Sequence, residues 1–378
     1  MPKESRPRVL VADDQADVLV ALRLLLRDER FDADTAASVQ EIRAKLDAAS
    51  YDLLLMDLNY ARDTTSGREG LELLRQVHER DPLLPVVVMT GWATIDTAVE
   101  AMRRGARTFV HKPWENAALC RTLRREVEHG RATRRARRTA EREQQDAQAT
   151  QRALLPGCAP ALPGCEIAAR WSPASAFGGD FYDAVRLEDG RLAVSLGDVC
   201  GKGLPAALLM ANVQASTRAF AAADPSPASV AARINRELSA NAELGRLVTF
   251  FYAVYDVRTR GLTFTNAGHN PPILARPDGS IARLTGGGMV LGAFGTATYE
   301  EHAIALGAGD RLVLFTDGMT DPAEADDQEF GDDRLVAAVV SRRAAPASSI
   351  ADGIFDDVTR FAGGRLDDDA TVVVMAID

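Results

Sequence analysis

The chain has 378 residues, 46% of them hydrophobic, and a formal net charge of −10. At roughly 150 residues per domain this length corresponds to about two and a half domains, and the apolar content disfavours an intrinsically disordered chain. The negative charge disfavours a broad surface for nucleic acid or anionic membranes.

The cysteines and the apolar runs indicate where the protein works. The four cysteines form no CxxC pair, which disfavours a zinc ribbon and a disulfide scaffold and favours reduced thiols in the cytoplasm; they are Cys120, Cys158, Cys165 and Cys200. The first residues do not resemble a signal peptide, and no 18 apolar residues run together. We therefore expect a cytoplasmic protein that does not bind membranes.

Residues 8 to about 128 alternate short apolar runs with helical periodicity, which is typical of a βα repeat and a parallel sheet. Strands are predicted at Val9–Ala12, Leu53–Met56, Val86–Met89 and Thr108–Val110, with a weaker one near Phe31–Thr35. We expect a five-stranded, doubly wound α/β domain over residues 1–128.

Polar side chains follow these strands where each one ends: Asp13, Asp14, Asp57, Thr90 and Lys112. The carboxyl ends of parallel strands meet at one edge of the sheet, so these side chains are expected to lie together. Carboxylates there suit a hard divalent cation, and a hydroxyl and an ammonium suit phosphoryl oxygens. Any one aspartate alone would fit a turn better than a ligand site; the set indicates a site.

The segments VADD, LLLMD, VVVMTG and HKPW, in this order, resemble the response-regulator receiver domain. The resemblance implies that Asp57 accepts a phosphoryl group from a sensor histidine kinase or phosphotransfer protein. It implies a Mg²⁺ ion held by Asp14, Asp57 and the Asn59 carbonyl, with Asp13 acting through water. Thr90 and Lys112 would contact the phosphoryl group, and Phe109 matches the aromatic switch position. The loop after Asp57 is longer than in the family and lacks its common proline.

Residues 115–153 are dense in charge, with one glycine and no proline, and predict a helix. Its apolar stripe, which includes Leu119 and Leu123, fades towards the end. The segment is either a solvated helix or a signalling helix that pairs with its twin in a homodimer. We expect residues 129–157 to form a helical linker that continues the last receiver helix.

Residues 158–378 predict an α+β domain. The expected strands are Leu192–Leu196, Val248–Val257, Leu262–Asn266, Arg311–Thr316 and Thr371–Ile377; the expected helices are Leu204–Ala222, Ser229–Ala242, Arg334–Arg342 and Ser348–Phe361. Several aspartates stand at the ends of these strands, in GGDFYD, GDVCGKG, TDG and DDDAT. Such oxygen-only ligands favour Mg²⁺ or Mn²⁺ over Zn²⁺.

These motifs, with AGHNPP and EFGDDRL, resemble the stage-II-sporulation-E-type serine phosphatases, a branch of the metal-dependent PPM phosphatases. The resemblance implies a β-sandwich flanked by helices with two Mn²⁺ or Mg²⁺ ions at one end. Asp198 would bridge both ions and the Val199 carbonyl would bind one. Asp317 and Asp368 would bind the other, and Asp180 would act through water. These ligands, Asp198, Asp317 and Asp368 foremost, form the expected catalytic set.

Three further residues of this half have two interpretations each. Cys200 stands where many eukaryotic relatives have a histidine, so the proton donor to the leaving group is unassigned and a metal-bound water is the default. His269 fits turn packing better than catalysis, and Lys202 fits support of the Asp198 loop better than phosphate binding.

Together the two halves predict a response regulator whose output is a metal-dependent protein serine phosphatase. The resemblance implies a phosphoserine anti-anti-sigma (STAS-like) protein as substrate. One alternative is a non-catalytic adaptor of a sigma-factor pathway, which would lack metal aspartates that this chain has. Another is a DNA-binding regulator, which would require a basic helix-turn-helix; the arginine-dense stretch Arg121–Arg142 is interleaved with acids, so we expect no direct DNA binding.

Overall fold

A computed structural model describes residues 5–58, 68–91, 95–157, 162–240, 245–322 and 328–378. The chain divides into two compact units, residues 1–143 and 144–378. Each unit has its own cores, and each is described separately below.

The first unit is a parallel five-stranded sheet with helices on both faces. Its strands are β1 (Arg8–Ala12), β2 (Asp32–Ala36), β3 (Leu53–Asp57), β4 (Val86–Thr90) and β5 (Thr108–His111), in the order β2-β1-β3-β4-β5. Its helices are α1 (Ala16–Asp28), α2 (Val39–Ala48), α3 (Arg68–Arg80), α4 (Ile95–Arg103) and the first part of α5 (Asn116–Leu154). The predicted doubly wound receiver fold is confirmed.

Alternation along the strands assigns the helices to the two faces. Val9 and Val11 of β1 pack in one core with Leu22 of α1 and Leu123 of α5. Leu10 and Ala12 point the other way, into the core with α2, α3 and α4. Side chains of successive strand residues point to opposite faces, so a sheet covered on both sides needs continuous apolar strands such as VLVA and LLLM.

Helix α5 has 39 residues and crosses the boundary between the two units. Leu119, Leu123 and Val127 bury the stripe of its first turns. Residues 135–146 are exposed around the whole circumference of the helix, which agrees with the fading stripe in the sequence.

The second unit is a β-sandwich. One sheet has the order β13-β10-β9-β8-β7, with β14 also paired to β10, and the other has the order β12-β11-β15-β16-β6. The strands are β6 (Cys165–Ser172), β7 (Phe181–Arg186), β8 (Leu192–Val199), β9 (Val248–Asp256), β10 (Gly261–Ala267), β11 (Ile273–Ala275), β12 (Ile281–Arg283), β13 (Gly287–Gly288), β14 (His302–Ala305), β15 (Arg311–Phe315) and β16 (Ala370–Ile377).

Apolar residues of both inner faces, among them Val194, Phe251, Leu274 and Val373, form the core between the sheets. Helices α6 (Leu204–Ala223) and α7 (Pro227–Ala240) cover the outer face of the first sheet. Helices α8 (Gly331–Arg342) and α9 (Ala347–Phe361) cover the second. The expected sandwich flanked by helices is confirmed.

The sequence did not predict β6, β7 and the short strands β11 to β14. Strands β6 and β7 lie at the edges of their sheets, where β6 is only partly buried and β7 carries Asp183 and Arg186. The Asp183 carboxylate is buried against the Arg218 guanidinium of α6. An edge strand with a charge paired to a distant helix has a weak local pattern.

Candidate functional site

Three carboxylates of the receiver unit meet at the carboxyl ends of two neighbouring strands. Ligand atoms of Asp13, Asp14 and Asp57 lie within 4.8 Å of one another. Asp13 and Asp57 are buried, whereas Asp14 is more exposed. The adjacency of β1 and β3 therefore brings together residues more than forty positions apart, as the parallel sheet predicts. Asn59 lies outside the described residues.

The Lys112 ammonium lies against this acidic edge. Its Nζ donates to Asp13 Oδ2 at 2.6 Å and to Asp57 Oδ2 at 2.8 Å. Burial favours the neutral amine, but the hydrogen bonds and charges of the two aspartates outweigh it and raise the pKa of Lys112. Thr90 is buried at the end of β4, and Phe109 of β5 is half exposed. The edge can hold a divalent cation and a phosphoryl group side by side.

A second acidic cluster lies at one end of the sandwich. Asp198 is near the end of β8, Asp180 directly precedes β7, Asp317 follows β15, and Asp368 and Asp369 directly precede β16. Antiparallel pairing of β7 with β8 and of β15 with β16 places these strand ends together. The structure thus collects the phosphatase aspartates that the sequence singled out.

Asp180 is the most buried member, with 1% of its surface exposed. Its Oδ2 accepts hydrogen bonds from the hydroxyls of Thr316 at 2.8 Å and Thr371 at 2.6 Å. Its Oδ1 is buried with no hydrogen-bond partner among the described residues. Burial, followed by the charge of Asp198, raises the pKa of this carboxyl well above its usual range.

Three other carboxyls of the cluster, those of Asp198, Asp317 and Asp369, also have raised pKa values. Burial, and then the charges of Asp317, Asp368 and Asp369, raise the pKa of Asp198 to about 7. Burial is also the first cause of the raised pKa values of Asp317 and Asp369. Carboxylates that raise one another's pKa are not fully compensated by positive charge, and an orphaned buried oxygen lacks a ligand. This oxygen donor set therefore fits hard divalent cations.

The spacing differs between the two clusters. In the receiver, the ligand oxygens of three aspartates lie within 4.8 Å of one another. Within the described parts of the chain, no three aspartates of the second cluster bring their oxygens that close together. Lys202 lies beside Asp368, a partly exposed member of the second cluster. Its Nζ is 3.2 Å from Asp368 Oδ1 and donates to the Asp367 carbonyl at 2.6 Å. Lys202 thereby joins the loop after Asp198 to the loop before β16.

The glycines of the motifs are needed for close approach. A Cβ at Gly179 would lie 2.8 Å from the Val199 carbonyl oxygen, and one at Gly318 would lie 2.1 Å from the Asp369 carbonyl oxygen. Both contacts are with backbone, which cannot move aside cheaply. GGD and TDG therefore let the loops carrying Asp180 and Asp317 touch their neighbours.

Three residues of this site were missed by the sequence reasoning. Asp369 accepts hydrogen bonds from the N–H groups of Gly179 at 2.6 Å and Ala174 at 2.8 Å, and so holds the GGD turn. Thr316 and Thr371 hold Asp180. Thr316 and Asp369 are each next to a motif aspartate, and Thr371 is three positions after Asp368. This closeness in the sequence is the signal that could have identified them.

His269 and Cys200 lie near the cluster without joining it. His269 is buried, its Nδ1 is 2.8 Å from the hydroxyl of Thr249, and burial lowers its pKa to about 4. The Asn266 side chain bonds both the N–H and the carbonyl of His269, which agrees with a role in the turn. Cys200 is an exposed free thiol.

Comparisons with known proteins match this architecture. The family model described as stage II sporulation protein E matches residues 188–378, and the response regulator receiver domain model matches residues 9–124. Protein IcfG of Synechocystis is 28% identical over 254 residues, which cover 60% of this chain and 40% of IcfG. Phosphoserine phosphatase RsbU of Bacillus subtilis is 27% identical over 226 residues, which cover 60% of this chain and 67% of RsbU.

A solved structure shows the same fold. The SiaA-PP2C domain of Pseudomonas aeruginosa aligns with a TM-score of 0.58 and 23% identity, covering 64% of this chain and 99% of that domain. Among the described residues, no helix has the length and apolar character needed to span a membrane. The chain belongs to the stage II sporulation protein E family, and it carries a response regulator receiver domain ahead of its PPM phosphatase domain.

Proposed function

We propose that the chain is a response regulator in which phosphorylation of Asp57 controls a metal-dependent phosphoserine phosphatase. The observation that carries this proposal is the cluster of buried and partly buried carboxyls with raised pKa values at one end of the sandwich. The substrate we propose is a phosphoserine anti-anti-sigma (STAS-like) protein. Its support is the family and the similarity to RsbU, which is named a phosphoserine phosphatase.

The residues that would hold two Mn²⁺ or Mg²⁺ ions are those that the sequence indicated. Asp198 would bridge the ions, the Val199 carbonyl would bind one, and Asp317 and Asp368 would bind the other. Asp180 would act through a water. When bound, such ions lower the pKa of an attacking water and neutralise phosphoryl oxygens.

The remaining groups of the site position these ligands. Thr316 and Thr371 fix one oxygen of Asp180 and leave the other without a hydrogen bond from the described residues. Asp369 holds the turn that carries Asp180, and Lys202 holds the Asp368 loop against the Asp198 loop. The cluster thus keeps its geometry through hydrogen bonds made by residues that need not touch the substrate.

In the receiver, Asp57 is the proposed phosphoryl acceptor from a sensor histidine kinase or phosphotransfer protein. Asp14 and Asp57 would bind Mg²⁺ with help from Asp13. Lys112 already contacts Asp57, so its ammonium is placed to bind an oxygen of the incoming phosphoryl group. Thr90 and Phe109 are the proposed switch residues, and the proposed Asn59 ligand lies outside the described residues.

The contacts of α5 support a coupling role. Gln151, near its end, donates from Nε2 to the Gly178 carbonyl at 2.6 Å and accepts from the Gly178 N–H at 3.2 Å. Gly178 opens the turn that carries Asp180. Gln214 of α6 donates to the carbonyl of Leu154, the last residue of α5. A change along this helix therefore has a hydrogen-bonded route to a metal-binding turn.

The proposed domains are a receiver over 1–128, a helical linker over 129–157 and a phosphatase over 158–378. We also propose a homodimer in which the linker helices pair. The support is that α5 continues beyond the receiver core and that residues 135–146 are exposed on every side of the helix. Light scattering of the full chain measures its molar mass; twice the mass of one chain is expected, and the mass of a single chain would contradict the homodimer.

The experiment that tests the function is Mn²⁺-dependent dephosphorylation of candidate phosphoserine anti-anti-sigma proteins by the full chain. We expect wild type to release phosphate and Asp317→Asn to lose at least about 100-fold in rate, because a ligand of the nucleophile-generating centre is gone. Beryllofluoride with Mg²⁺, which mimics the phosphorylated aspartate, is expected to change the wild-type rate but not that of Asp57→Ala.

Two outcomes contradict the proposal. Equal rates for wild type and Asp317→Asn would remove the catalytic assignment and favour the adaptor. Equal wild-type rates with and without beryllofluoride would remove the coupling and leave the catalytic assignment intact.

A further inference from the structure

Arginines from three segments of the receiver unit line two adjoining cavities, which we call the arginine groove. The larger cavity, of about 790 Å³, is lined by Arg6, Arg30, Arg124, Arg131 and Arg135, with Ser5, Pro7, Val127, Glu128 and Ala132. The smaller, of about 370 Å³, shares Ser5, Arg131 and Arg135 and adds Ser50, Tyr51, Asp52, Arg134 and Arg138. Such volumes are typical of sites for small ligands.

The groove is at the opposite edge of the sheet from Asp57. Arg6 precedes the start of β1, and Arg30 follows the end of α1. In a parallel sheet the amino ends of all strands lie on one side and their carboxyl ends on the other, and Asp57 stands at the carboxyl end of β3. The groove is thus separate from the phosphorylation site.

Part of the positive charge of the groove is balanced by acids. Arg124 pairs with Glu29, Arg131 with Asp52 at 2.7 Å, and Arg134 with Asp81 at 2.6 Å. Glu128 also lines the larger cavity, and Asp52 lines the smaller one. Among the residues that the structure describes, Arg6, Arg30 and Arg138 make no ion pair. An excess of guanidinium groups therefore faces the groove in a chain whose net charge is −10.

The backbone of Arg30 is a second, independent feature. Arg30 has a φ of 64° two residues after the end of α1, where the Phe31 N–H donates to the Leu26 carbonyl. This left-handed position at a helix end is one that glycine adopts most easily. Here it carries a long cationic side chain that lines the larger cavity.

The spacing along α5 aligns the other guanidinium groups. Arg124, Arg131, Arg135 and Arg138 are separated by seven, four and three residues, which places them along one face of a helix. The guanidinium fork matches the paired oxygens of a phosphate. Arg6 and Arg30 approach from outside the helix, so an anion with several phosphate groups could contact all three segments.

We propose that the arginine groove binds an oligophosphate, either inorganic or the phosphate chain of a nucleotide, and that the bound anion joins α5 to Arg6 and Arg30. Binding needs neither phosphorylated Asp57 nor the phosphatase metals. The bound anion would therefore act on α5, the helix that leaves the receiver, independently of phosphorylation.

The test is calorimetric titration of the full chain in EDTA, so that no metal-bound phosphatase site competes for the anion. Inorganic triphosphate, ATP and a single-stranded oligothymidylate are titrated separately. We expect triphosphate to bind with an affinity that falls as salt rises. Equal affinity for ATP indicates recognition of the phosphate chain alone, and tighter ATP binding indicates a nucleotide site; both support the proposal.

Two variants and a matched control locate the site. Arg30→Gly removes the guanidinium and suits the left-handed backbone, and Arg135→Gln changes an exposed position of α5. Each is expected to weaken triphosphate binding about tenfold or more, since charge-assisted hydrogen bonds are lost. Arg142→Gln, on the same helix but outside both cavities, is expected to change the affinity less than about twofold.

Three results would overturn the proposal: no heat of binding with millimolar triphosphate, equal effects of all three substitutions, or binding of the oligonucleotide without binding of triphosphate. The last would identify a nucleic-acid surface instead. Circular dichroism of each variant confirms that the helix is retained, and Arg135→Gln keeps the test decisive if Arg30→Gly is misfolded.

Discussion

At the scale of single residues, the acidic cluster of the second unit is a set of carboxyls whose negative charges raise one another's pKa values. Asp180 and Asp198 are largely withdrawn from water, and each has other aspartates as neighbours. The hydrogen bonds that Asp180 receives from Thr316 and Thr371 oppose this effect without cancelling it. The fold therefore keeps a locally unfavourable charge arrangement that a cation would relieve.

This arrangement predicts how the stability of the metal-free protein depends on pH. The pKa of Asp198 is about 7 in the folded protein and about 3.9 in an unfolded chain. Between these values the folded state binds the extra proton, so the free energy of unfolding falls as pH rises through 7. In EDTA we expect the phosphatase unit to be less stable at pH 8 than at pH 6 by about 1–2 kcal/mol.

Denaturant unfolding at the two pH values measures this difference. Asp198→Asn, which cannot titrate, is the control and should reduce the difference. Saturating Mn²⁺ should abolish or reverse it, since cations bind the deprotonated carboxylates. Greater stability at pH 8 than at pH 6 in EDTA would contradict the charge assignment of the cluster.

At the scale of elements, the end of α5 is fastened to the loop that carries Asp180. Gln151 is buried, and its amide satisfies both backbone groups of Gly178. Asp369 satisfies the next N–H, that of Gly179. The position of Asp180 thus depends on a helix residue and on a residue of the β16 loop.

Replacing Gln151 tests this dependence. Gln151→Ala leaves the Gly178 N–H and carbonyl buried without partners, which is expected to cost about 1–3 kcal/mol of unfolding free energy. We also expect weaker Mn²⁺ binding, because the turn that carries Asp180 loosens. Gln145→Ala, at an exposed position of the same helix, is the matched control. Unchanged stability and Mn²⁺ affinity in Gln151→Ala would show that the contact does not hold the turn.

At the scale of the whole molecule, the chain consists of two compact units, each with its own cores. Separate cores predict two unfolding transitions. Leu22→Ala, in the receiver core, should lower the free energy of unfolding of the first unit by about 2–5 kcal/mol. Leu335→Ala, in the core that α8 covers, should lower that of the second unit by a similar amount. Calorimetry in Mn²⁺ resolves the two transitions; a single transition lowered by both substitutions would contradict two independent cores.

Much of the fold was predictable because its signals are local. Buried parallel strands such as Leu53–Asp57 are continuous apolar runs, and the predicted helices of the second unit end within a few residues of the observed ones wherever their ends are described. Edge strands were missed because their pattern is weak. In strand β7 the charged Asp183 is buried and pairs with Arg218, which is 35 positions away in the sequence.

The sequence by itself determined which two domains the chain has, and it indicated the residues proposed to do chemistry: the receiver set around Asp57 and the aspartates of four glycine-rich or acidic motifs. It could do so because a strand and the polar residue at its end are contiguous in the chain. Only the tertiary structure decided what surrounds them. The threonines that hold Asp180, the role of Asp369 and the convergence of Arg6, Arg30 and α5 depend on pairings between distant segments. Such pairings are fixed by sheet order and core packing, which no local pattern encodes.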